Sequence, residues 1–197
     1  MKTAKTAIVI LALLAAAGCI RSAPSTFYLL KSIDATAATQ PAAGREMSLG
    51  VGPVEIPDYL RRTQIARLEA GNEVSFSDAS RWAEPLDTGI QRVLSENLSI
   101  LAGTRSIVLF PWLPSAAPDY QVRLRIVTFD GSADSVRLSA YWSVYGAGQK
   151  AELASRKSLI AERPASGSVA AMVQAQNRAL EALSREIAAE LRRVQGS

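Results

Sequence analysis

Apolar and polar residues alternate with a period of two through the second half of the chain. In DYQVRLRIVTFDG, Tyr120, Val122, Leu124 and Ile126 fall on one side and Gln121, Arg123 and Arg125 on the other. SVRLSAYWSVYG repeats the pattern with Val136, Leu138, Ala140, Trp142 and Val144. Successive strand side chains point to opposite faces, so both stretches read as half-buried strands. Asp130-Gly131 and the polar residues after it predict the hairpin loop between them. Ala151 to Glu162 continues as a third antiparallel strand with a weaker pattern.

Two other stretches carry the helical period. In RWAEPLDTGIQRVLSENLSILAG, Leu86, Ile90, Val93, Leu94, Leu98 and Leu101 make one stripe, with Asp87, Gln91, Arg92, Ser95 and Glu96 mostly off it. Asp78 or Ser80 is placed to cap this helix, Pro85 suits its first turn and Gly103 its end. The second helix opens at Ser168, and one side carries Val169, Met172, Val173, Leu180, Leu183, Ile187, Leu191 and Val194. Ala170, Ala171, Ala175, Ala179, Ala182 and Ala188 add helix propensity and permit close packing. Both stripes are the right width for core packing against a sheet.

Shorter strands fill the first half. Phe27 to Lys31 is a brief strand, and Leu49, Val51, Val54 and Ile56 alternate around a break at Gly52-Pro53. Ile65 to Leu68 and Val74 to Phe76 can pair across the turn Ala70-Gly71-Asn72-Glu73. Ser106 to Trp112 is a continuous apolar run, which reads as an interior strand. Ser32 to Glu46, biased to Ala, Thr and Pro, reads as a linker. The order strand, helix, strand from Met47 to Trp112 allows a parallel crossover. The prediction is one α/β domain of α+β character: a mixed, largely antiparallel sheet of five to seven strands packed with two long helices.

The N-terminus is organised differently. Lys2 and Lys5 precede an unbroken apolar run from Ala7 to Ala17, then Gly18-Cys19. This is signal-peptide architecture. A membrane span needs about 20 apolar residues, and this run meets Arg21 too early. Ala16-Ala17-Gly18 before Cys19 resembles a bacterial lipobox, although the first position usually holds Leu. That resemblance implies cleavage between Gly18 and Cys19, with acyl chains on the Cys19 sulfur and on the new amino group. The alternative is an ordinary secretory leader with an incidental thiol. Stable anchoring takes more than one acyl chain, which a lipidated Cys19 would supply. The division predicted is residues 1–18 as leader, 19–26 as lipidated tether and 27–197 as the folded domain. Ile20 at the position after Cys19 implies, by the sorting rule of enteric-type bacteria, the outer membrane facing the periplasm.

Composition narrows the chemistry. The chain of 197 residues has no histidine and one cysteine, Cys19. It therefore lacks the commonest general base and metal ligand, and an internal disulfide or CxxC pair is excluded. No GxSxG nucleophile motif or phosphate-binding glycine loop occurs; Gly146-Ala147-Gly148 sits in a hairpin. The formal charge is +4, of which Lys2 and Lys5 in the leader carry two. The remaining basic residues are dispersed, which argues against a nucleic-acid partner. No catalytic residue, metal or cofactor is assigned.

Candidate binding residues lie at element ends. Asp58, Tyr59, Arg61 and Arg62 put charge and an aromatic ring beside a strand end, where Tyr and Arg serve as interface anchors. The same residues can instead pair locally, with Tyr59 covering the core. Arg81 and Trp82 precede the first long helix, and Trp82 either packs or presents a platform. Trp112, among prolines, can meet a partner, a membrane interface or the core rim.

Taken together, FYLL, the run Leu49 to Ile65 containing IPDYLRRTQI, RWAEPL, VLSENL, FPW and the Val136-Leu138-Ala140-Trp142 strand resemble the ABC-type transport auxiliary lipoprotein family over nearly all the mature chain. The resemblance implies a periplasm-facing lipoprotein that works beside an MCE-domain transport protein and its membrane permease complex in moving lipid between membranes. It would be a docking or regulatory component, with self-assembly into a homo-oligomer open to it. The competing readings are a structural envelope lipoprotein with no transport role and, less in keeping with the missing motifs, a carboxylate-based hydrolase.

Overall fold

The computed structural model describes residues 24–34, 47–113, 117–146 and 151–196. The predicted leader, Cys19 and most of the linker, residues 35–46, lie outside the described residues. Eight strands and two long helices are described: β1 (Thr26–Tyr28), β2 (Ser48–Glu55), β3 (Gln64–Leu68), β4 (Val74–Trp82), α1 (Leu86–Ala102), β5 (Ser106–Leu109), β6 (Tyr120–Gly131), β7 (Val136–Tyr145), β8 (Glu152–Glu162) and α2 (Val169–Gln195). A short 3-10 turn, Asp58–Arg61, separates β2 from β3.

The strands form one mixed sheet, and with two helices against it the domain is α+β. Its longest ladders are antiparallel, β6 with β7 and β7 with β8. The other edge of β6 is shared. Its first half pairs in parallel with β2, and its last residue, Gly131, meets Arg67 of β3. Beyond β2 lies β5, parallel to it, so the strand–helix–strand segment is a parallel crossover as expected. Beyond β3 lie the antiparallel β4 and then β1, parallel to β4.

Both helices cover the same face of the sheet. Leu86, Ile90, Val93, Leu94 and Leu98 of α1 are buried, as are Leu180, Leu183, Ile187 and Leu191 of α2. Under them lie Val122, Leu124 and Ile126 of β6 and Val136, Leu138, Ala140, Trp142 and Val144 of β7. A bulge after Ile126 resets the alternation: Val127 is exposed and Phe129 returns to the core. A second irregularity falls between Val51 and Val54, where Gly52 has φ +115°, a conformation glycine alone adopts readily. Ala175, Ala179 and Ala188 are wholly buried, and a hydrogen bond from Asn97 Nδ2 to Ser184 Oγ (3.0 Å) joins α1 to α2.

Four expectations are corrected. Eight strands are present where five to seven were expected. The first strand ends at Tyr28, so Leu30 and Lys31 belong to a strap. Asp78, Ser80, Arg81 and Trp82 lie in β4, and α1 begins only at Leu86. Proline explains this: Glu84, before Pro85, is driven toward extended backbone, and Pro85 itself occupies the N-cap with φ −53° and ψ 134°. Lastly, β5 pairs only with β2 among the described strands, so the apolar run is an edge and not an interior strand. The end signals are as read. Gly103 closes α1 in the left-handed conformation, and the Ser168 hydroxyl accepts from Ala171 N–H at 3.2 Å.

Leu94→Ala should lower stability to unfolding by about 2–5 kcal/mol, because the wholly buried side chain leaves a cavity between helix and sheet. Leu159→Ala, at a position 73% exposed, should change it by less than about 0.5 kcal/mol. Urea titration followed by tryptophan fluorescence checks both.

Candidate docking surface

Six of the seven predicted residues gather at one end of the β3–β4 hairpin: Asp58, Tyr59 and Arg61 in the 3-10 turn, Arg62 just after it, and Arg81 and Trp82 at the end of β4. Pro57 accepts from Leu60 N–H (3.0 Å), which buries Leu60 and turns Asp58 and Arg61 outward. Arg61 sits between two carboxylates, 3.3 Å from Asp58 and 3.5 Å from Asp87 at the start of α1. The Arg62 guanidinium lies 4.7 Å over the Phe76 ring. Gln64 is the register partner of Arg81, and both reach Asp78, Gln64 at 3.2 Å and Arg81 at 3.5 Å. A charged ledge results, built from Asp58, Arg61, Arg62, Asp78 and Arg81.

The two aromatic members of the set lie deeper. The Trp82 side chain belongs to the core, the residue being 6% exposed, and its backbone N–H donates to Thr63 O at 2.7 Å. The Tyr59 hydroxyl donates to the Asp130 carboxylate across to β6. Burial, and then Asp130, push the Tyr59 phenol well above its ordinary pKa. It therefore stays a donor at neutral pH and ties the turn to the sheet.

Trp112 lies elsewhere. A Cβ added at Gly50 would come within 3.0 Å of its ring and 2.5 Å of Pro118, so both side chains cover the β2 backbone there. Phe110 meets Trp112 edge to face at 5.3 Å. The exit of β5 exposes apolar side chains: Leu109, Phe110 and Leu113 are 48, 44 and 70% exposed.

Sequence reading missed a further feature. The strap after β1 crosses both helices and is pinned by three polar side chains. Asn177 of α2 accepts from Lys31 N–H (3.1 Å), and Asn97 of α1 accepts from Ile33 N–H (2.9 Å). Arg92 donates to Leu30 O at 3.0 Å and pairs with Glu84 at 2.6 Å. The Glu84 hydrogen bond, more than any other influence, holds the Arg92 pKa above its usual value. Buried Asn97 on an otherwise apolar helix face is the one sequence signal that marks this clamp. Between strap, α1 and β5 lies a cleft of about 710 Å³, lined among others by Ile33, Ile100, Arg105, Ile107 and Leu109. Among the described residues, no His, Cys, Asp and Glu side chains group to hold a metal, and no helix is long and apolar enough to cross a membrane.

The family model for the ABC-type transport auxiliary lipoprotein component matches residues 28–188. The chain belongs to that family. It is thus an auxiliary lipoprotein component of ABC-type transport, a family of transport accessories and not of enzymes. No curated protein matches it in sequence. Among solved structures it is similar to an uncharacterized protein at 20% identity and TM-score 0.68, over 86% of this chain and 99% of that one. It is also similar to protein XCC0632 from Xanthomonas campestris at 14% identity and TM-score 0.67, over 83% and 93% of the two chains. At these identities the likeness is one of fold. The auxiliary lipoprotein's ledge, strap and cleft are therefore described from its own residues.

Asn97→Ala should leave the strap amide of Ile33 without its acceptor and cost about 1–3 kcal/mol. Hydrogen exchange should then quicken at Lys31 and Ile33 more than in the β6–β7 ladder. Unchanged protection at both amides would show that the clamp does not hold the strap.

Proposed function

We propose that this auxiliary lipoprotein is the membrane-anchored docking subunit of an MCE-type intermembrane lipid transport system. Acyl chains on Cys19 hold it at the outer membrane, facing the periplasm, and it contributes to the integrity of that membrane. The observation that carries this reading is the family membership, which spans the folded domain from β1 to α2. The transport work and any ATP use belong to the MCE-domain protein and its permease complex.

The ledge at the β3–β4 hairpin supports a docking role. Asp58, Arg61, Arg62 and Arg81 are charged groups on the 3-10 turn, the residue after it and the end of β4, and Arg favours interface centres. Tyr59 and Trp82 act from below, fixing the turn and the strand end that present them. Trp112 would contribute at a separate place, beside the apolar exit of β5. Self-association of the subunit into a homo-oligomer would place several ledges side by side.

The test is crosslinking and copurification of the full lipoprotein from native membranes. The expected result is recovery of an MCE-domain protein, with recovery cut about tenfold by the Arg61→Glu/Arg81→Glu pair, since a charge reversal places like charges across an interface. Cys19→Ser should release the chain from the membrane pellet, and intact mass of the wild type should carry acyl groups. Recovery of no MCE-domain protein, with a weakened envelope after gene deletion, would favour a purely structural lipoprotein. A wild-type chain without acyl mass would remove the anchor.

A further inference from the structure

Because α1 and α2 share one face of the sheet, no described helix covers the opposite face of β6, β7 and β8. Register places Arg125, Tyr141 and Lys157 in one row across the three strands, and Arg123, Ser143 and Ser155 in the next. Arg125, Tyr141 and Lys157 are exposed, whereas their chain neighbours Leu124, Trp142 and Ser158 point into the core.

Two of the three cations of this face are held in place by aromatic rings, and the third, Arg125, by Glu55. Lys157 Nζ lies 5.2 Å from the centre of the Tyr141 ring, and the Arg123 guanidinium lies 4.2 Å over Tyr145. The carboxylates are already engaged. Glu55 is 2.8 Å from Arg125, and Glu152 accepts from the Tyr145 hydroxyl at 2.8 Å. Among the described residues, no carboxylate pairs with Lys157. A concavity of about 430 Å³ lies between these groups, lined among others by Pro53, Glu55, Arg123, Arg125, Tyr141 and Tyr145. Gln121, paired in register with Tyr145, is wholly buried, and its Nε2 has no hydrogen-bond acceptor among the described residues.

We propose that this open face is a second docking surface, and that it takes an acidic, extended segment of a partner protein. Arg123 and Arg125 stand two residues apart on one strand, about 7 Å. Alternate side chains of an extended segment repeat at the same distance, so carboxylates at every second position meet both guanidinium groups. The ring-held cations lose little freedom on binding, and Tyr and Arg are the residues that anchor interfaces. A polyanionic surface fits less well. Binding to anionic lipid uses clusters of about four to eight Lys and Arg, whereas here Glu55 and Glu152 stand among three cations. The proposal deepens the docking role above and rests on it for the existence of a partner protein.

The test titrates the full-length lipoprotein in detergent with a fluorescent peptide of alternating Glu and Thr, and with its Lys-Thr counterpart. The Glu peptide should bind saturably and the Lys peptide should not. Arg125→Glu/Lys157→Glu should weaken the Glu peptide at least about tenfold. Raising salt until the Debye length falls from about 10 Å to about 3 Å should do the same. The Arg125 side chain is 68% exposed, so the reversal, although it breaks the pair with Glu55, should lower the thermal melt only slightly and leave the chain folded. Lys157→Gln, a milder change, should give an intermediate loss in case the pair perturbs folding. Equal binding of both peptides, or indifference to the reversals, overturns the proposal. So does a reversal that abolishes binding to phosphatidylglycerol vesicles while peptide binding is absent. No MCE-domain protein enters this titration, so its failure and the failure of copurification are separate results.

Discussion

Strand β6 is the joint through which both halves of the sheet are connected. One edge carries the whole β7 ladder; the other is divided between β2 and the end of β3. A strand of ordinary length cannot serve three neighbours. At 12 residues β6 is about twice the usual length, and the bulge after Ile126 lets its two halves turn while each keeps a core face. The Tyr59–Asp130 hydrogen bond ties the turn before β3 to this same joint, just before the single β3 contact at Gly131. The ledge is thus held to the long meander by one strand end and one phenol.

The second constraint is that both helices share a face. It follows from connectivity: α1 lies between the parallel strands β2 and β5, and α2 follows the antiparallel meander back over β7 and β8. Their mutual contact is narrow enough to need alanines, and its polar seam, Asn97 with Ser184, leaves one amide oxygen to accept from the strap. Among the described residues the same arrangement leaves no helix on the back of the meander, where Arg123 and Lys157 lie over tyrosine rings. Covering one face therefore created both the clamp for the N-terminal strap and the open face opposite.

For a chain of this family, that division suits an accessory role. The strap comes from the N-terminal side, where the predicted anchor lies, and it is bound on the helical layer. The open strand face points the other way. The charged ledge sits at the hairpin end of the sheet, apart from both. The domain thus carries three surfaces of different chemistry: the bound strap, the charged ledge and the open strand face.

Much of this fold was legible in the chain itself. Period-two alternation located β6 and β7 and named most of their core residues, because a strand with one wet face has no other way to bury the apolar set. It missed Phe129, which the bulge returns to the core, and placed on the polar side Gln121, which is wholly buried. The helical stripes located the cores of both helices, and Gly103 and Ser168 located the end of α1 and the start of α2, for equally local reasons. The candidate residues at 58–62 and 81–82 were legible as charged element ends, but not their depth. Trp82 and Tyr59 proved to be supports, because burial depends on what packs above a residue and not on its neighbours in the chain. That SIVL lies at an edge, that Asn97 accepts from Ile33, and that Trp112 stands apart from the ledge are likewise facts of tertiary structure. Each depends on a pairing between segments distant in sequence. Local patterning determines which side of a segment is apolar; only the packed structure decides which segment covers it and which face stays open.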